Sequence, residues 1–488
     1  MPSAVPERDV RAAEQRRRFF DSVSKEHAAP GPVKRYYSER LHKSIRFNVR
    51  PGSSVIEIGC GTGDLLASLA PSRGVGVDFS EEMIAIARER HPELTFVVAD
   101  ADSLLLEERF DFVVLSNVTG DLVDVQRVLA SVRALCHERT RIVVTDFNYL
   151  WGPLVRLAEA LGLKPRQRQQ NWLQLDDLEN LLALTGFEPI KSGRDLLCPA
   201  PLPVIADFVN DWIGNLPVVA RLSANALIVA RVAPKGPAKD RTVSVVVACR
   251  DERGNIEELV RTVPRMGLGT ELIFVDGRST DGTVEEIERC IAARRELNPG
   301  LDDIRVLVQP GKGKGDAVRA GFDVARGDVL MILDADITVR SEDLPKFYRA
   351  LVDGKGELIN GSRLVYPMED QAMRFLNLLG NHFFGRLFSW LLDQRLTDTL
   401  CGTKVLYKQD YEQIKAGRSF FGDFDPFGDF DLLFGAAKQN LKIREVPIRY
   451  RNREYGEIKI DRVRHGLLLL QMSALAFKRF KLHRGTEG

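Results

Sequence analysis

The chain has 488 residues, 44% hydrophobic and 28% charged, and its 69 Lys and Arg against 68 Asp and Glu leave a net charge of +1. That composition excludes a disordered chain, a collagen-like repeat and a disulfide scaffold, and the near-neutral balance implies no general affinity for nucleic acid. Roughly 150 residues per domain makes two to four domains the expectation. The six cysteines, Cys60, Cys136, Cys198, Cys249, Cys290 and Cys401, form no CxxC pair. Reduced thiols are therefore expected, and a zinc ribbon or redox motif is not. The seven histidines form no HxxxH or HExxH pair, which argues against a His-based metal centre. No signal-peptide pattern opens the chain, and no stretch reaches about 18 uninterrupted apolar residues, so no spanning helix is expected.

In chain order, apolar β-branched runs predict strands at Val55–Ile58, Gly74–Val77, Phe96–Val98, Phe112–Leu115, Ile142–Thr145 and Asn225–Ala230. The composition then breaks at Ala233–Asp240, rich in Pro, Gly, Ala and Lys, as in an exposed linker. Further strands are predicted at Val243–Val247, Glu271–Val275, Ile304–Val308 and Val329–Leu333. Segments such as Glu81–Arg90 and Val284–Arg295 have helical spacing. Strands alternating with helices in both halves predict two largely parallel sheets covered on both faces.

The first half carries Val55-Ile-Glu-Ile-Gly-Cys-Gly-Thr-Gly-Asp64, a strand running into Gly59, Gly61 and Gly63 and then a helix. Glycines there let the chain turn sharply and let a ligand approach the backbone. Asp78 follows at the end of the next strand, where a carboxylate can accept both hydroxyls of a ribose. Asp100 follows the third strand, where the edge of an adenine would lie. A dinucleotide fingerprint would be GxGxxG. Here the third glycine comes one residue early, Asp64 takes the usual slot, and no diphosphate-neutralising site is evident. The spacing fits an adenosine ligand without phosphate.

The pattern resembles class I S-adenosylmethionine-dependent methyltransferases over about residues 30–232. The resemblance implies that Glu57 with Gly59, Gly61 and Gly63 holds the methionine end, that Asp78 binds the ribose and that Asp100 meets the adenine. Asn117, after the fourth strand, would face the sulfonium. Asn225–Ala230 would be the antiparallel seventh strand. A general base is not legible: Asp121, Asp146 and the Tyr36-Tyr37 pair are candidates, each also readable as a surface or packing residue.

In the second half, Glu252 follows the first strand, Asp276 ends the second, and Leu333-Asp-Ala-Asp336 ends the fourth. Open α/β sheets bind ligands at this edge. Asp334 and Asp336, two residues apart, can share one hard divalent cation completed by water and diphosphate oxygens. Gln309-Pro-Gly-Lys-Gly-Lys-Gly-Asp316 has a phosphate-loop look, but no Gly-Lys-Ser/Thr occurs, which rejects a Walker A site. Its lysines read either as phosphate contacts or as solvated charge.

Together these segments resemble glycosyltransferase family 2, most closely its dolichol- or polyprenyl-phosphate mannosyltransferase-like branch, over about residues 242–460. The resemblance implies donor contacts at Glu252 and Asp276 and an Mg2+ or Mn2+ site at Asp334 and Asp336, with Asp336 also catalytic. Gly277 stands where a second acid is usual, Ala248-Cys-Arg-Asp251 departs from the usual first turn, and Thr338 replaces a frequent Gln, so UDP- and GDP-linked donors both stay open. Gly361-Ser-Arg363, Asp398-Thr-Leu-Cys-Gly-Thr-Lys404 and Tyr455-Gly-Glu-Ile-Lys459 match further segments of the branch. Cations at Arg363, Lys404 and Lys459 would offset the repulsion between a phosphate acceptor and a diphosphate donor. Phe420–Asp431 alternates aromatics with acids. It reads either as a source of a general base or acceptor-binding acid, Asp425, Asp429 or Asp431, or as phenylalanines packed beneath the site. Phe375–Leu392 and Gly466–Phe477, the latter followed by a basic run, fit helices lying on an anionic membrane surface, or a core helix or dimer seam.

The sequence therefore predicts an α/β protein of two domains. A Rossmann-like methyltransferase domain spans residues 1–233, a linker spans 234–241, and a nucleotide-sugar-binding domain of GT-A type spans 242–488 and ends in interfacial helices. The expected function is bifunctional. The second domain would transfer a sugar with inversion from a nucleotide-sugar to a polyprenyl phosphate or other envelope acceptor, with a metal ion. The first would methylate a related molecule with S-adenosylmethionine. Alternatives are that one half is only a binding scaffold, or that the transferase is soluble and acts on a protein or small molecule. The expected location is cytoplasmic, peripheral on the inner face of the plasma membrane, with no nucleic-acid partner.

Overall fold

The computed structural model describes residues 17–22, 24, 27–101, 104, 106–160, 171, 173–236, 239–366, 375–420, 428, 430–449, 451, 455 and 462–482. The chain divides into two compact units, one of Met1–Ala233 together with Lys481–Gly488 and the other of Pro234–Phe480.

The first unit is built on strands β1 (Ser54–Ile58), β2 (Arg73–Asp78), β3 (Thr95–Val98), β4 (Phe110–Ser116), β5 (Cys136–Phe147), β6 (Phe187–Asp195) and β7 (Asn225–Val232). They form one sheet in the order β3-β2-β1-β4-β5-β7-β6, parallel except that β7 runs antiparallel to both β5 and β6. Alternate strand residues face opposite helical layers. On one face Ile56, Ile58, Val113, Leu115, Ile142 and Val144 pack against α4 (Val125–Val132) and α5 (Leu175–Leu184). On the other, Val55, Val114 and Val143 meet α1 (Pro32–Asn48), α2 (Asp64–Ser68) and α3 (Glu81–Arg90). Both faces being covered explains the near-continuous apolar runs. Strand β6 was not visible in the sequence because Pro189, Lys191 and Gly193 interrupt it. It is an outer strand whose register shifts between Pro189 and Lys191, and such positions tolerate proline.

The second unit carries β8 (Thr242–Cys249), β9 (Gly269–Asp276), β10 (Asp303–Val308), β11 (Val329–Asp334), β12 (Leu358–Ser362), β13 (Lys404–Tyr407) and β14 (Ile443–Pro447) in the order β10-β9-β8-β11-β13-β12-β14. As in the first unit, the sheet is parallel except for one strand, β13, which runs antiparallel to its neighbours β11 and β12. Helices α6 (Arg253–Thr262), α7 (Thr283–Ala292) and α9 (Leu344–Val352) bury their apolar stripes against Val245, Val247, Leu272, Phe274, Met331 and Leu333. Helix α8 (Lys314–Val324) lies so close to the other face that a Cβ on Gly321 would stand 2.4 Å from Val246 Cγ1. Helices α10 (Phe375–Leu392) and α13 (Arg462–Ala476) pack together, with α11 (Lys408–Ala416) and α12 (Phe430–Lys438) as a second pair. None of the described helices is long and apolar enough to cross a membrane.

Candidate active sites

In the first unit the register aligns the strand ends, with Ile58 opposite both Val77 and Leu115 and Asp78 opposite Val98. The residues that follow each strand therefore share one edge. Gly59 has φ +75°, and its amide donates to Val77 O at 2.7 Å. A Cβ there would sit 2.6 Å from Val118 Cγ2, so the turn needs glycine for both conformation and space. Gly61, at φ +51°, has no atom within 4 Å of an added Cβ, and Gly63 caps α2. Gly61 N–H and Ser80 N–H each donate to Asp78 at 2.9 Å, one to each carboxylate oxygen. Each of those oxygens keeps a second lone pair for a hydroxyl donor. Burial raises the Asp78 pKa despite these bonds.

Glu57 is 3% exposed and its Oε2 is buried with no hydrogen-bond partner. Burial pushes its pKa well up. An orphaned acid oxygen beside an open glycine turn fits a cationic amine, as S-adenosylmethionine would supply. Asp100 lies past β3, whose extension continues as Ala99 N–H donates to Asp78 O. Asn117 turns at φ +52°, and its Nδ2 donates to Tyr37 Oη at 2.9 Å.

Tyr37 and Asn225 were not expected as partners of Asn117. Tyr37 Oη, on α1, donates to Asn225 Oδ1 at the head of β7. Burial raises the Tyr37 pKa, so its hydroxyl stays protonated at neutral pH and acts here as a structural donor. Tyr36 bonds instead with Asp207 and Asn210. Asp146 is 6% exposed and accepts from Thr119 Oγ1 at 2.7 Å, and burial pushes its pKa up to about 6. Asp121 is half-buried in the turn after Asn117.

In the second unit β8 is the reference strand: Asp334 pairs in register with Ala248, and Asp276 with Cys249. Asp276 is 2% exposed and accepts from Ser279 Oγ at 2.5 Å and Ser279 N–H at 3.1 Å. Glu252 is 7% exposed and accepts from Asn255 Nδ2 at 2.8 Å. Tyr455 lies over the start of α6, where a Cβ on Gly254 would meet its Cδ2 at 2.5 Å. That brings an aromatic ring onto the helix that Glu252 caps, a neighbour that the first-turn sequence does not announce.

Asp334 pairs with Lys314 Nζ at 2.7 Å. Burial works to raise its pKa, but Lys314, then Lys404 and Arg363, hold it below the ordinary carboxylate range. Arg363 is clamped by Asp398, with Nε to Oδ2 at 2.7 Å and Nη2 to Oδ1 at 2.8 Å, and Asp398 is 0% exposed. Lys404 is fully buried, and its Nζ donates to Cys401 O at 2.6 Å. Three cations therefore act on Asp334, and one of them, Arg363, is itself paired with Asp398. Asp336 Oδ1 accepts from Thr338 Oγ1 at 2.7 Å, across a tight turn in which Ile337 has φ +56°.

Asp334 and Asp336 are hard oxygen donors of the kind that hold Mg2+ or Mn2+, ions that need only one or two carboxylates when phosphates and water complete the shell. No group of three or more His, Cys, Asp or Glu able to hold an ion occurs among the described residues. Asp431, at the start of α12, bonds with Arg418 Nε at 2.8 Å and faces Arg319 at 3.9 Å, so it is engaged by two guanidinium groups. Phe430 beside it is buried against Phe388 and Phe434. Asp425, Asp429 and Lys459 lie outside the described residues.

These two edges define a class: a transferase joining a methyltransferase fold to a second α/β unit with acids at its strand ends. The family models agree in register, one for a methyltransferase domain matching residues 31–192 and one for glycosyl transferase family 2 matching residues 244–414. A dolichyl-phosphate hexose transferase of Haloferax volcanii is 30% identical over 224 residues, covering 45% of this chain and 86% of that protein. A dolichol-phosphate mannosyltransferase of Pyrococcus furiosus is 29% identical over 224 residues, covering 45% of this chain and 59% of that protein. An S-adenosylmethionine-dependent methyltransferase structure from Thermotoga maritima matches 43% of this chain and 97% of its own at 20% identity, with a TM-score of 0.36. The chain belongs to glycosyltransferase family 2 through its second unit, and its first unit matches the methyltransferase domain model over residues 31–192.

Proposed function

We propose that the second unit transfers a hexose from a UDP- or GDP-linked donor to a polyprenyl phosphate, and that the first methylates a molecule of the same envelope pathway with S-adenosylmethionine. The observation that carries the sugar-transfer reading is the convergence of Asp276, Glu252 and Asp334 on one sheet edge with Lys314, Lys404 and Arg363 around Asp334. Glu252 and Asp276 would receive the nucleoside. Asp334 and Asp336 would hold Mg2+ or Mn2+, which supplies charge neutralisation to the departing diphosphate when bound.

An acceptor phosphate oxygen attacks the anomeric carbon as the bond to the donor diphosphate breaks, and the nucleoside diphosphate leaves with the electron pair. The acceptor is already anionic, so no general base is required. What the chain must supply is positive charge, and Arg363 and Lys404 hold it rigidly through Asp398 and Cys401 O. In the first unit Glu57, Gly61 and Asp78 would hold S-adenosylmethionine, and alignment of an acceptor with the sulfonium methyl does the rest.

Peripheral attachment to the cytoplasmic face of the plasma membrane is part of the reading, supported by Phe383 on α10 and Leu467 and Leu470 on α13, which are 57%, 58% and 51% exposed. The test is a donor panel with lipid extract as acceptor, read by mass spectrometry with and without Mn2+. A hexosyl-phospholipid product that disappears in Asp336→Ala supports the proposal, and unchanged turnover in that variant rejects the metal assignment. Transfer only to protein or a small molecule, or failure to float with anionic liposomes, rejects the lipid reading. Calorimetry with S-adenosylmethionine tests the first unit, where absence of binding would leave it a scaffold for other ligands.

A further inference from the structure

Lys314 is the first residue of α8 and follows Gly313, whose φ of +86° only glycine adopts without strain. Its ammonium reaches across to β11 and contacts Asp334 Oδ1 at 2.7 Å, with both side chains about equally sheltered at 30% and 27% exposure. The pair is roofed by backbone, since a Cβ on Gly402 would lie 2.1 Å from Asp334 Oδ2 and 2.5 Å from Lys314 Nζ. Gly428 closes on Gly315, the next residue of α8, where an added Cβ would meet Gly315 Cα at 2.4 Å. The two remaining cations near Asp334 are otherwise engaged, Arg363 bidentate on Asp398 and Lys404 on Cys401 O. Lys314 places its ammonium directly on the carboxylate.

We propose that Lys314 is the built-in counter-cation of Asp334 and that a divalent ion binds there only by displacing it. An ammonium and a dication on one carboxylate oxygen would stand within a few ångströms of each other and repel. The ion and the ammonium therefore exchange. Lys314, pivoting on the glycines at 313 and 315, then lies at the N-terminus of α8 with the donor diphosphate as its nearest available anion. Metal loading is thereby tied to donor arrival, because the diphosphate offers the displaced ammonium an anion in place of the carboxylate it gives up. This rests on the metal-and-donor reading above and adds the residue that couples the two.

The test is Mn2+ binding to the full-length protein, followed by the paramagnetic resonance signal of free Mn2+, without nucleotide and with UDP or GDP. Lys314→Met is expected to bind Mn2+ at least tenfold tighter than wild type without nucleotide, and to lose most of the tightening that nucleotide gives the wild type. Lys314→Arg, which keeps the positive charge, is expected to stay within threefold of wild type. In thermal unfolding, Lys314→Met should melt lower than wild type in chelator and gain more from Mn2+, so a less stable variant still reports. Equal or weaker Mn2+ binding in Lys314→Met, while Asp334→Asn loses the ion, overturns the counter-cation role alone. Undiminished Mn2+ binding in Asp334→Asn overturns it together with the metal assignment.

Discussion

Asp251, Arg278 and Ile337 have φ of +55°, +61° and +56°, a region that side chains avoid and that is least tolerated by a β-branched residue such as Ile337. Each follows a strand end, of β8, β9 and β11, at the edge where Glu252, Asp276 and Asp336 stand. Strain of about 1–3 kcal/mol per residue survives only where neighbours impose it, and it collects here where carboxylates must be aimed. Charge is arranged as tightly. Replacing Arg363 by Met would leave the fully buried Asp398 without its bidentate partner. Urea unfolding of Arg363→Met should show a loss of about 3–5 kcal/mol, the cost of stranding a buried ion. A loss under about 1 kcal/mol would mean that the pair is not formed. In the first unit, Asp146 has its pKa raised by burial to about 6. A carboxyl that binds its proton more tightly when folded loses stability as pH rises from its unfolded pKa near 4 to the folded value. The wild-type first unit should therefore lose about 1–3 kcal/mol between pH 4 and 6 from this group. Asp146→Asn should flatten that slope and be the more stable protein at pH 7. Parallel slopes for the two proteins, in unfolding followed against pH, would place the titration elsewhere.

Elements differed in how far the sequence disclosed them, and the reason is length and neighbourhood. The inner strands β1, β4, β8, β9 and β11 are covered on both faces, so their apolar runs stand out, and the glycines and acids that end them mark the ligand edge. Strands β12, β13 and β14 have only 5, 4 and 5 residues and carry Asn, Gly, Lys, Arg, Glu or Pro within those few positions. They become strands because β11 and one another offer them hydrogen bonds, a tertiary cause that no local window contains. The same holds for the site. The candidates Glu57, Asp78, Asp276 and Asp334 were legible because each lies at the end of a strand or one residue before it, whereas the clamp of Arg363 by Asp398 and the pairing of Lys314 with Asp334 join residues that only the folded sheet brings together. Helix α8 shows how closely element packing and site geometry are bound. Gly321 lets it lie on β8, so Gly321→Val, whose first added carbon already falls 2.4 Å from Val246 Cγ1, should lift the helix and cost about 1–3 kcal/mol. Its Mn2+ affinity should change as well, because Lys314 heads that same helix. Wild-type stability in this variant would show that the helix sits farther from the sheet.

At the scale of the whole molecule the chain holds two sheets of seven strands, each with its own buried core and its own edge of acids at strand ends. Two cores of this kind have no need to unfold as one. A ligand that binds one folded unit stabilises that unit by about 2.7 kcal/mol at a hundred times its dissociation constant, and leaves a thermodynamically separate unit untouched. Scanning calorimetry of the full-length protein should therefore resolve two transitions. S-adenosylmethionine should raise one of them, and Mn2+ with UDP or GDP should raise the other. The pattern also assigns each transition to its sheet, since Arg363→Met should lower only the transition that the nucleotide raises, and Asp146→Asn should move only the one that S-adenosylmethionine raises. A single transition that both ligands shift together would instead mean that the two units fold cooperatively, and that occupancy of one site is felt at the other through the stability of the whole chain.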